Sequence, residues 1–223
     1  NNIDILVFET ISDLYEMKAA VLAEKENSNL PIIATMTFEE ETLRTFMGCD
    51  IKSMAHTLEG LGVDAVGINC SFSPEKLLPL VKQLLANTTL PVAIKVNAGL
   101  PDVNKGFNNE IDKFVAYYEK FIKLGVSLVG GCCGTNPEYI QRLSKHRGEK
   151  RIAHKIKLPS AVCTPSKFVD ITKVRIIGER LNPTGKKAMK EALINNQTEY
   201  IINQATEQIN AGADILDINC GLP

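Results

Sequence analysis

An α/β fold is the class that this sequence predicts, and two periodicities carry the prediction. Short runs rich in Val, Ile, Leu and Ala recur at residues 3–8, 31–37, 63–69, 91–97 and 126–131. Near-continuous apolar runs of this length are typical of parallel strands that are covered on both faces. The segments between the runs carry the helical period. Regular alternation of strand and helix, joined by right-handed crossovers, leads either to an open doubly wound sheet or to a barrel.

The helices between these strands are marked by apolar spacing and by start signals. Apolar residues at i, i+3, i+4 and i+7 recur in two segments, Ile51, Met54, Ala55, Leu58 and Leu61, and Ile111, Phe114, Val115, Tyr118, Phe121 and Ile122. Ser73-Pro74-Glu75 and Asn136-Pro137-Glu138 each place a capping side chain before a proline and an acid, as helix starts do. Residues 1–148 are therefore predicted to hold five βα units.

The regular alternation of strand and helix patterns ends after residue 148. Residues 149–173 are basic at first and then carry Pro159 and Pro165, so we predict an interdomain linker with a small hairpin around residues 161–171. A second βαβ unit follows in residues 174–223, with strands at 174–178 and 214–218 and one amphipathic helix between them. Because the chain begins with Asn rather than Met and stops after an apolar strand, we expect it to be a piece of a longer protein.

The composition narrows the class of function. The 223 residues are 44% hydrophobic and 23% charged, with a net charge of −1, so no feature favours nucleic acid or an anionic membrane as a partner. No apolar stretch approaches the roughly 18 residues of a membrane-spanning helix. Six cysteines without a secretory signal predict a reducing, cytoplasmic setting, where metal binding or catalysis is a commoner use of cysteine than disulfides.

Three of the cysteines directly follow predicted strands. Cys70 follows the run at 63–69, and Cys132 and Cys133 follow the run at 126–131. Because parallel strands bring their carboxyl ends to one edge of a sheet, these thiols are expected to converge there. Three thiolates leave one position of a zinc site open to a substrate, and a thiol bound there becomes a better nucleophile. Two other interpretations stay open: small buried residues, or a strained disulfide between Cys132 and Cys133.

These motifs resemble known families. Gly67-Ile68-Asn69-Cys70 with Gly130-Gly131-Cys132-Cys133-Gly134-Thr135-Asn136-Pro137 resembles the zinc-dependent homocysteine S-methyltransferase family. Residues 177–185, with the sequence IGERLNPTG, and then Asp217-Ile218-Asn219 resemble the start of a pterin-binding methyltransferase barrel. The two modules in this order are similar to the cobalamin-dependent methionine synthase family.

The resemblance implies both a fold and a reaction. The fold would be an incomplete (β/α)8 TIM barrel, holding about five units that correspond to strands four to eight, followed by the beginning of a second barrel. The reaction would be methylation of a zinc-bound homocysteine thiolate to methionine. The methyl group would come from methyltetrahydrofolate through cobalamin, which a domain of the full-length protein outside this chain would bind. The fragment alone is expected to be inactive in that full reaction.

The resemblance also assigns roles to individual residues. Zinc would be held by Cys70, Cys132 and Cys133, and the substrate by Glu9 and Asn97. Glu9 would bind the homocysteine amino group, and Asn97 would cover the zinc before substrate arrives. The pterin would be held by Asn182, Asp217 and Asn219.

Plainer interpretations stand beside these assignments. Without the resemblance, Glu9 at a strand end is better explained as a capping or ion-paired acid, and Lys95 as an ion-paired lysine rather than a Schiff-base lysine. The histidines at 56, 146 and 154 show no ligand spacing, and Cys49, Cys163 and Cys220 are expected to be structural. At the level of function, the zinc chemistry could serve another methyl donor, such as S-methylmethionine or a betaine. A non-catalytic structural zinc or redox module is the third alternative.

Overall fold

The computed structural model of the chain describes residues 3–98, 111–150, 152–153 and 156–222. His154, considered above as a ligand, lies outside these ranges. The chain divides into two compact units, residues 1–158 together with 162–168, and residues 159–161 together with 169–223. Within the described ranges, no helix combines the length and the hydrophobicity that a membrane span requires.

A parallel five-stranded sheet is the centre of the first unit, which confirms the predicted α/β class. Its strands lie in sequential order, β1-β2-β3-β4-β5. Their bounds are β1 Leu6–Ile11, β2 Ile32–Met36, β3 Ala65–Cys70, β4 Val92–Val96 and β5 Leu128–Gly131. The helices between and after them are α1 Leu14–Asn27, α2 Ile51–Gly60, α3 Pro74–Leu85, α4 Ile111–Leu124 and α5 Pro137–Leu143, with a 3-10 turn at Ser144–His146.

The first strand starts later than its apolar run. Leu6 is paired with Ile32, the first residue of β2, and its N–H donates to the carbonyl of Pro31. The residues before Leu6 therefore have no β2 residue opposite them, so strand pairing begins at Leu6 rather than at residue 3. The strand also ends later, at Ile11, so Glu9, expected just after the first strand, lies inside it.

One face of the sheet packs against the helices and forms the core. Alternate strand residues point to this face, among them Ile32, Ala34, Met36, Val66, Ile68, Val92, Ile94 and Val96. They meet helix residues such as Met17, Met54, Leu80 and Tyr118, all fully buried. The opposite face, called the site face below, carries Val7, Glu9, Ile33, Thr35, Ala65, Gly67, Asn69, Ala93, Lys95, Leu128 and Gly130.

The two predicted helix starts differ in their caps. Asn136 caps α5 as expected, because its side-chain oxygen accepts a hydrogen bond from the N–H of Glu138 at 2.9 Å. Ser73 also precedes a proline at the start of α3, but its side chain makes no capping bond. The fixed φ of Pro74 and its missing N–H suit the first helical position without such a bond.

The second unit contains two parallel strands, β8 Ile177–Leu181 and β9 Ile215–Ile218, with Ile177 opposite Ile215. The single helix predicted between them is instead two, α6 Lys187–Ile194 and α7 Thr198–Asn210. The break falls at Asn196, whose φ of 54° is left-handed, a conformation that asparagine adopts more readily than most residues and that ends helices. Upstream in the chain, β6 Ala161–Cys163 and β7 Phe168–Asp170 form the predicted hairpin.

Candidate metal centre

Three thiols meet at the carboxyl edge of the first sheet. Cys70 is the last residue of β3, and Cys132 and Cys133 follow β5 directly. The strand between them, β4, aligns Val96 with Cys70 on one side and with Gly131 on the other, so both cysteine groups lie at the same level. The Sγ atoms of the three cysteines all lie within 4.8 Å of one another, and those of Cys70 and Cys133 are 3.8 Å apart.

The donor set fits zinc. In a tetrahedral site with Zn–S bonds of about 2.3 Å, two sulfurs are roughly 3.8 Å apart, which is the separation of Cys70 and Cys133. Among the described residues, no histidine, aspartate, glutamate or further cysteine joins the cluster. All six cysteines are free thiols, so the structure contains no disulfide between Cys132 and Cys133. The cluster therefore offers three sulfur ligands and leaves a fourth position for another group.

The backbone after β3 is strained where it presents Cys70. Cys70 and Ser71 have φ angles of 54° and 61°, in the left-handed region that residues other than glycine rarely adopt. The loop after β2 holds this turn in place. The Ser71 side-chain oxygen accepts from the N–H of Phe38 at 2.9 Å, and the Ser71 N–H donates to Thr37 Oγ1 at 3.2 Å.

Asn97 ties the two cysteine loops together. It follows β4 and is only 3% exposed. Its side-chain oxygen accepts from the N–H of Cys133 at 3.1 Å, while its amide nitrogen donates to the carbonyl of Ser71 at 3.1 Å. One side chain thus connects the turn that carries Cys70 to the loop that carries Cys133. This is a positioning role, and direct cover of a metal by Asn97 stays a prediction.

Steric constraints explain why glycines flank Cys132 and Cys133. Thr135 Oγ1 donates to the carbonyl of Cys132 at 2.7 Å and folds back over Gly131. A Cβ on Gly131 would lie 2.3 Å from that same oxygen. Gly134, in between, has a φ of 78° and completes the turn. The segment from Gly131 to Thr135 is therefore a compact loop that only small residues can build.

The Cys70 thiol is difficult to ionise in the absence of a metal. Burial, then the nearby Cys132 and the hydrogen bond with Cys133, together raise its pKa to about 11. At neutral pH Cys70 is a protonated thiol, and a metal ion has to displace that proton in order to bind. The site is thus built for a cation that competes well for sulfur.

Among the residues that the structure describes, the other cysteines and the histidines do not contribute to this cluster. Cys49 is buried, and burial and the neighbouring Asp50 raise its pKa to about 12. Cys163 contacts α2 through Thr57 Oγ1 at 3.2 Å, and Cys220 is exposed. His56 lies in α2 and packs against the ring of Phe168, whereas His146 is hydrogen-bonded to Glu149.

Glu9 and Lys95 lie on the site face and form an ion pair with each other. Their side chains are 52% and 26% exposed, respectively. The ion-paired interpretation of both residues is therefore what the structure shows. A role of Glu9 in holding an amino group stays a prediction, and no Schiff-base role for Lys95 is needed to explain its position.

Sequence reasoning assigned no role to two residues beside the centre. Asn69, fully buried, accepts at Oδ1 from the N–H of Thr10 at 2.8 Å and from Thr35 Oγ1 at 2.7 Å, so it joins β3 to β1 and β2. The buried hydroxyl of Tyr118 accepts from the N–H of Val96 at 3.0 Å and donates to the carbonyl of Gly130 at 2.6 Å. A polar residue inside an apolar run is the signal that could have identified Asn69; Tyr118 has no comparable signal.

In the second unit, the predicted pterin-binding residues lie at the carboxyl ends of both strands. Asn182 directly follows β8, Asp217 lies in β9, and Asn219 directly follows it. Asn182 accepts from the N–H of Thr184 at 2.9 Å, and the backbone N–H of Asn219 donates to the carbonyl of Leu181 at 2.8 Å. The strand ends thus carry the polar groups that the sequence predicted there, and their use by a pterin stays a prediction.

Comparison with known proteins identifies relatives of this chain. The chain is 32% identical over 229 residues to the methionine synthase of Mycobacterium tuberculosis (strain ATCC 25618 / H37Rv) and 31% identical over 234 residues to that of Mycobacterium leprae (strain TN). Each alignment covers 96% of this chain but 19% of the relative, so the chain spans only that share of their length.

Solved structures show the same fold. The apo form of the Escherichia coli homocysteine methyltransferase MmuM matches with a TM-score of 0.53 and 24% identity, over 64% of this chain and 49% of that one. Its metallated form matches with a TM-score of 0.50, over 64% of this chain and 45% of that one. Residues 1–147 match the family described as homocysteine S-methyltransferase. The chain belongs to the homocysteine S-methyltransferase family.

Proposed function

We propose that this chain supplies the zinc site of an enzyme that transfers a methyl group to homocysteine. The observation that carries the proposal is the cluster of Cys70, Cys132 and Cys133, three thiols within 4.8 Å of one another that no other described ligand residue joins. Zinc, when bound, keeps sulfur ligands deprotonated and leaves a substrate thiol electron-rich enough to attack a methyl group. Family membership and the names of the relatives support homocysteine as the substrate.

The residues around the cluster have distinct tasks in this proposal. The metal would be held by Cys70, Cys132 and Cys133. Asn97 keeps the two loops that carry these cysteines close enough to bind the same metal ion. Glu9, at the same end of the sheet, would bind the ammonium group of the substrate. Asn97 would also lie against the metal before the substrate arrives.

The sheet is proposed to be part of a (β/α)8 barrel, as strands four to eight. Its support is the strand order, which advances in one direction from β1 to β5. Right-handed crossovers that advance in one direction place every helix on the same face and curve the sheet towards a barrel, whereas a doubly wound sheet reverses its order. The proposed domains are residues 1–148 and 174–223, with 149–173 as the linker and the second domain as the beginning of another barrel.

The source of the methyl group is a finer proposal. The resemblance of residues 177–185 to a pterin-binding barrel supports methyltetrahydrofolate as the donor, with cobalamin as the carrier bound outside this chain. Asn182, Asp217 and Asn219 would hydrogen-bond the pterin ring from the strand ends. If the donor were S-methylmethionine or betaine, no pterin would be present for these strand-end groups to bind. The cysteine content supports a cytoplasmic setting for this chemistry.

A structural zinc site is the second candidate, and the donor count argues against it. Structural zinc sites are closed by four protein ligands, whereas catalytic sites keep one position for substrate or water. The described residues supply three ligands to this cluster. The arrangement therefore favours a site that takes a thiol from solution.

X-ray absorption at the zinc edge tests the proposal directly. The zinc-loaded chain is expected to show three sulfur neighbours at about 2.3 Å, and a fourth after homocysteine is added. Methionine, which has no thiol, is the matched control and should leave the spectrum unchanged. A sulfur count that does not change on addition of homocysteine would contradict the substrate assignment while leaving the zinc assignment intact.

The zinc affinity of the chain is expected to rise with pH. Because the pKa of Cys70 is raised to about 11, this thiol carries a proton in the free site throughout the neutral range and loses it when zinc binds. Below that pKa, each increase of one pH unit should therefore strengthen zinc binding about tenfold through Cys70 alone. Competition against a chelator of known pH dependence, between pH 6 and 8, measures the slope. A flat profile would show that Cys70 is not a ligand.

A further inference from the structure

The sheet of the first unit carries two charged side chains, and they are paired with each other. Among the residues of β1 to β5, all of which the structure describes, only Glu9 and Lys95 are charged. They belong to strands that are not neighbours, β1 and β4, yet both point to the site face and meet there. Lys95 is the one residue of β4 that is not buried, and Glu9 on the exposed strand β1 supplies its opposite charge.

The polar groups next to this pair are already occupied. Beside it, the Asn69 side chain is hydrogen-bonded to both Thr10 and Thr35. Among the residues of β1 to β5, the carboxylate of Glu9 and the ammonium group of Lys95 contact only each other. Both side chains are partly exposed to solvent. They are therefore the groups on this face that a charged ligand can reach.

A glycine leaves room for the lysine. Lys95 lies opposite Gly130 in the sheet, and a Cβ on Gly130 would come within 3.3 Å of Lys95 Cγ. The aliphatic part of Lys95 thus runs over a position without a side chain, and its ammonium group extends to Glu9. Larger residues at position 130 would compete with Lys95 for this space.

Lys95 starts from a position in the sheet close to the three thiols. Lys95 is in register with Asn69, which immediately precedes Cys70, and with Gly130, which is two residues before Cys132. With a rise of about 3.3 Å per residue in a parallel strand, Lys95 is roughly one to two residue steps along the strands from the cysteines. A short alkyl chain bridges such a distance between a sulfur atom and a charged group.

We infer that Lys95 binds the α-carboxylate of the amino-acid thiol whose ammonium group Glu9 holds in the proposed function. The assignment rests on the proposed function for the thiol end, and the carboxylate-binding role of Lys95 is what it adds. In the free chain the two side chains neutralise each other. On binding, each exchanges its partner for the opposite charge of the ligand, so the number of opposite-charge contacts increases and no charge is left unpaired.

Thiols that lack one charge separate the two halves of the subsite. Homocysteine carries both charges, 4-sulfanylbutanoate lacks the ammonium group, and 3-sulfanylpropan-1-amine lacks the carboxylate. Their affinities for the zinc-loaded chain can be measured by calorimetry. Lys95→Met should lower the affinity for homocysteine and for 4-sulfanylbutanoate by at least tenfold. It should leave the affinity for 3-sulfanylpropan-1-amine unchanged or higher. Glu9→Gln should lower the affinity for homocysteine and for 3-sulfanylpropan-1-amine, and it should leave the affinity for 4-sulfanylbutanoate unchanged.

Lys82→Met is the matched control, because Lys82 is an exposed lysine on α3 and should leave all three affinities as they are. Zinc content and circular dichroism of each variant show whether the site and the fold are intact. Homocysteine binding that survives Lys95→Met unchanged, or a loss that is equal for all three thiols, overturns the Lys95 assignment alone. If the unmodified chain binds none of the thiols, the proposed function fails as well.

Discussion

Replacing Cys70 with alanine is expected to reduce zinc binding by the chain at least about a hundredfold. The apparent binding free energy of a structural four-ligand zinc site in a peptide is about 10–16 kcal/mol, or roughly 3 kcal/mol for each ligand. A loss of that size corresponds to a factor of about a hundred or more in affinity. Because Cys70 comes from β3 and the other two sulfurs come from the loop after β5, no adjacent cysteine can replace it.

Cys220→Ala provides the matched control, since it also removes one thiol but from an exposed position outside the cluster. Zinc retained after desalting, and competition against a chromophoric chelator, compare the two variants with the unmodified chain. Cys132→Ala and Cys133→Ala should behave like Cys70→Ala. The assignment of these ligands is wrong if Cys70→Ala retains zinc as tightly as Cys220→Ala does.

The sequence was sufficient to predict the fold class because each element has a strong local pattern. Strands that are covered by helices on one face and by small or apolar residues on the other have to be apolar almost throughout, and β2, β3 and β4 are. Parallel strands then bring whatever follows them to one edge. The convergence of Cys70 with Cys132 and Cys133 could be anticipated from that rule alone, because both groups directly follow a strand.

The positioning of the centre could not be predicted in the same way, because it depends on contacts between distant parts of the chain. Asn97 connects two loops through their backbone atoms, and no local pattern specifies which backbone atoms will face it. Tyr118 has the same spacing as its apolar neighbours on α4, so nothing distinguishes its hydroxyl from core packing until β4 and β5 are in place. The pairing of Glu9 with Lys95 likewise joins residues 86 positions apart.

The missed helix break in the second unit has a local cause. The apolar spacing through Met189, Leu193, Ile201 and Ile209 continues across the break, so periodicity predicted one helix. The residues between α6 and α7 are Asn195, Asn196 and Gln197, and the left-handed φ of Asn196 ends the first helix. Two consecutive asparagines were therefore the stronger signal, since asparagine favours helix ends over helix interiors.

Gly67→Ala is expected to destabilise the first unit by about 3 kcal/mol or more, which lowers the melting temperature by roughly 6–12 °C. Gly67 lies in the middle of β3, opposite Ala93 in β4. A Cβ at this position would be 2.0 Å from the carbonyl oxygen of Ala93 and 2.8 Å from its carbonyl carbon. These are backbone atoms of a central parallel strand, so they cannot rotate away as a side chain can. Relief requires β3 and β4 to separate, and that breaks the hydrogen bonds that align Cys70 with Val96.

Gly130→Ala is the matched control for this change. It adds the same methyl group to the same face of the sheet, but its Cβ would meet Lys95 Cγ at 3.3 Å, and that flexible side chain can shift by a few tenths of an ångström. Thermal unfolding followed by circular dichroism should therefore show a large loss for Gly67→Ala and a loss below about 1 kcal/mol for Gly130→Ala. Equal melting temperatures for the two variants would mean that β3 and β4 are not packed as closely as the structure shows. Because Cys70 is three residues beyond Gly67 on the same strand, Gly67→Ala should also weaken zinc binding, even though residue 67 is not a ligand.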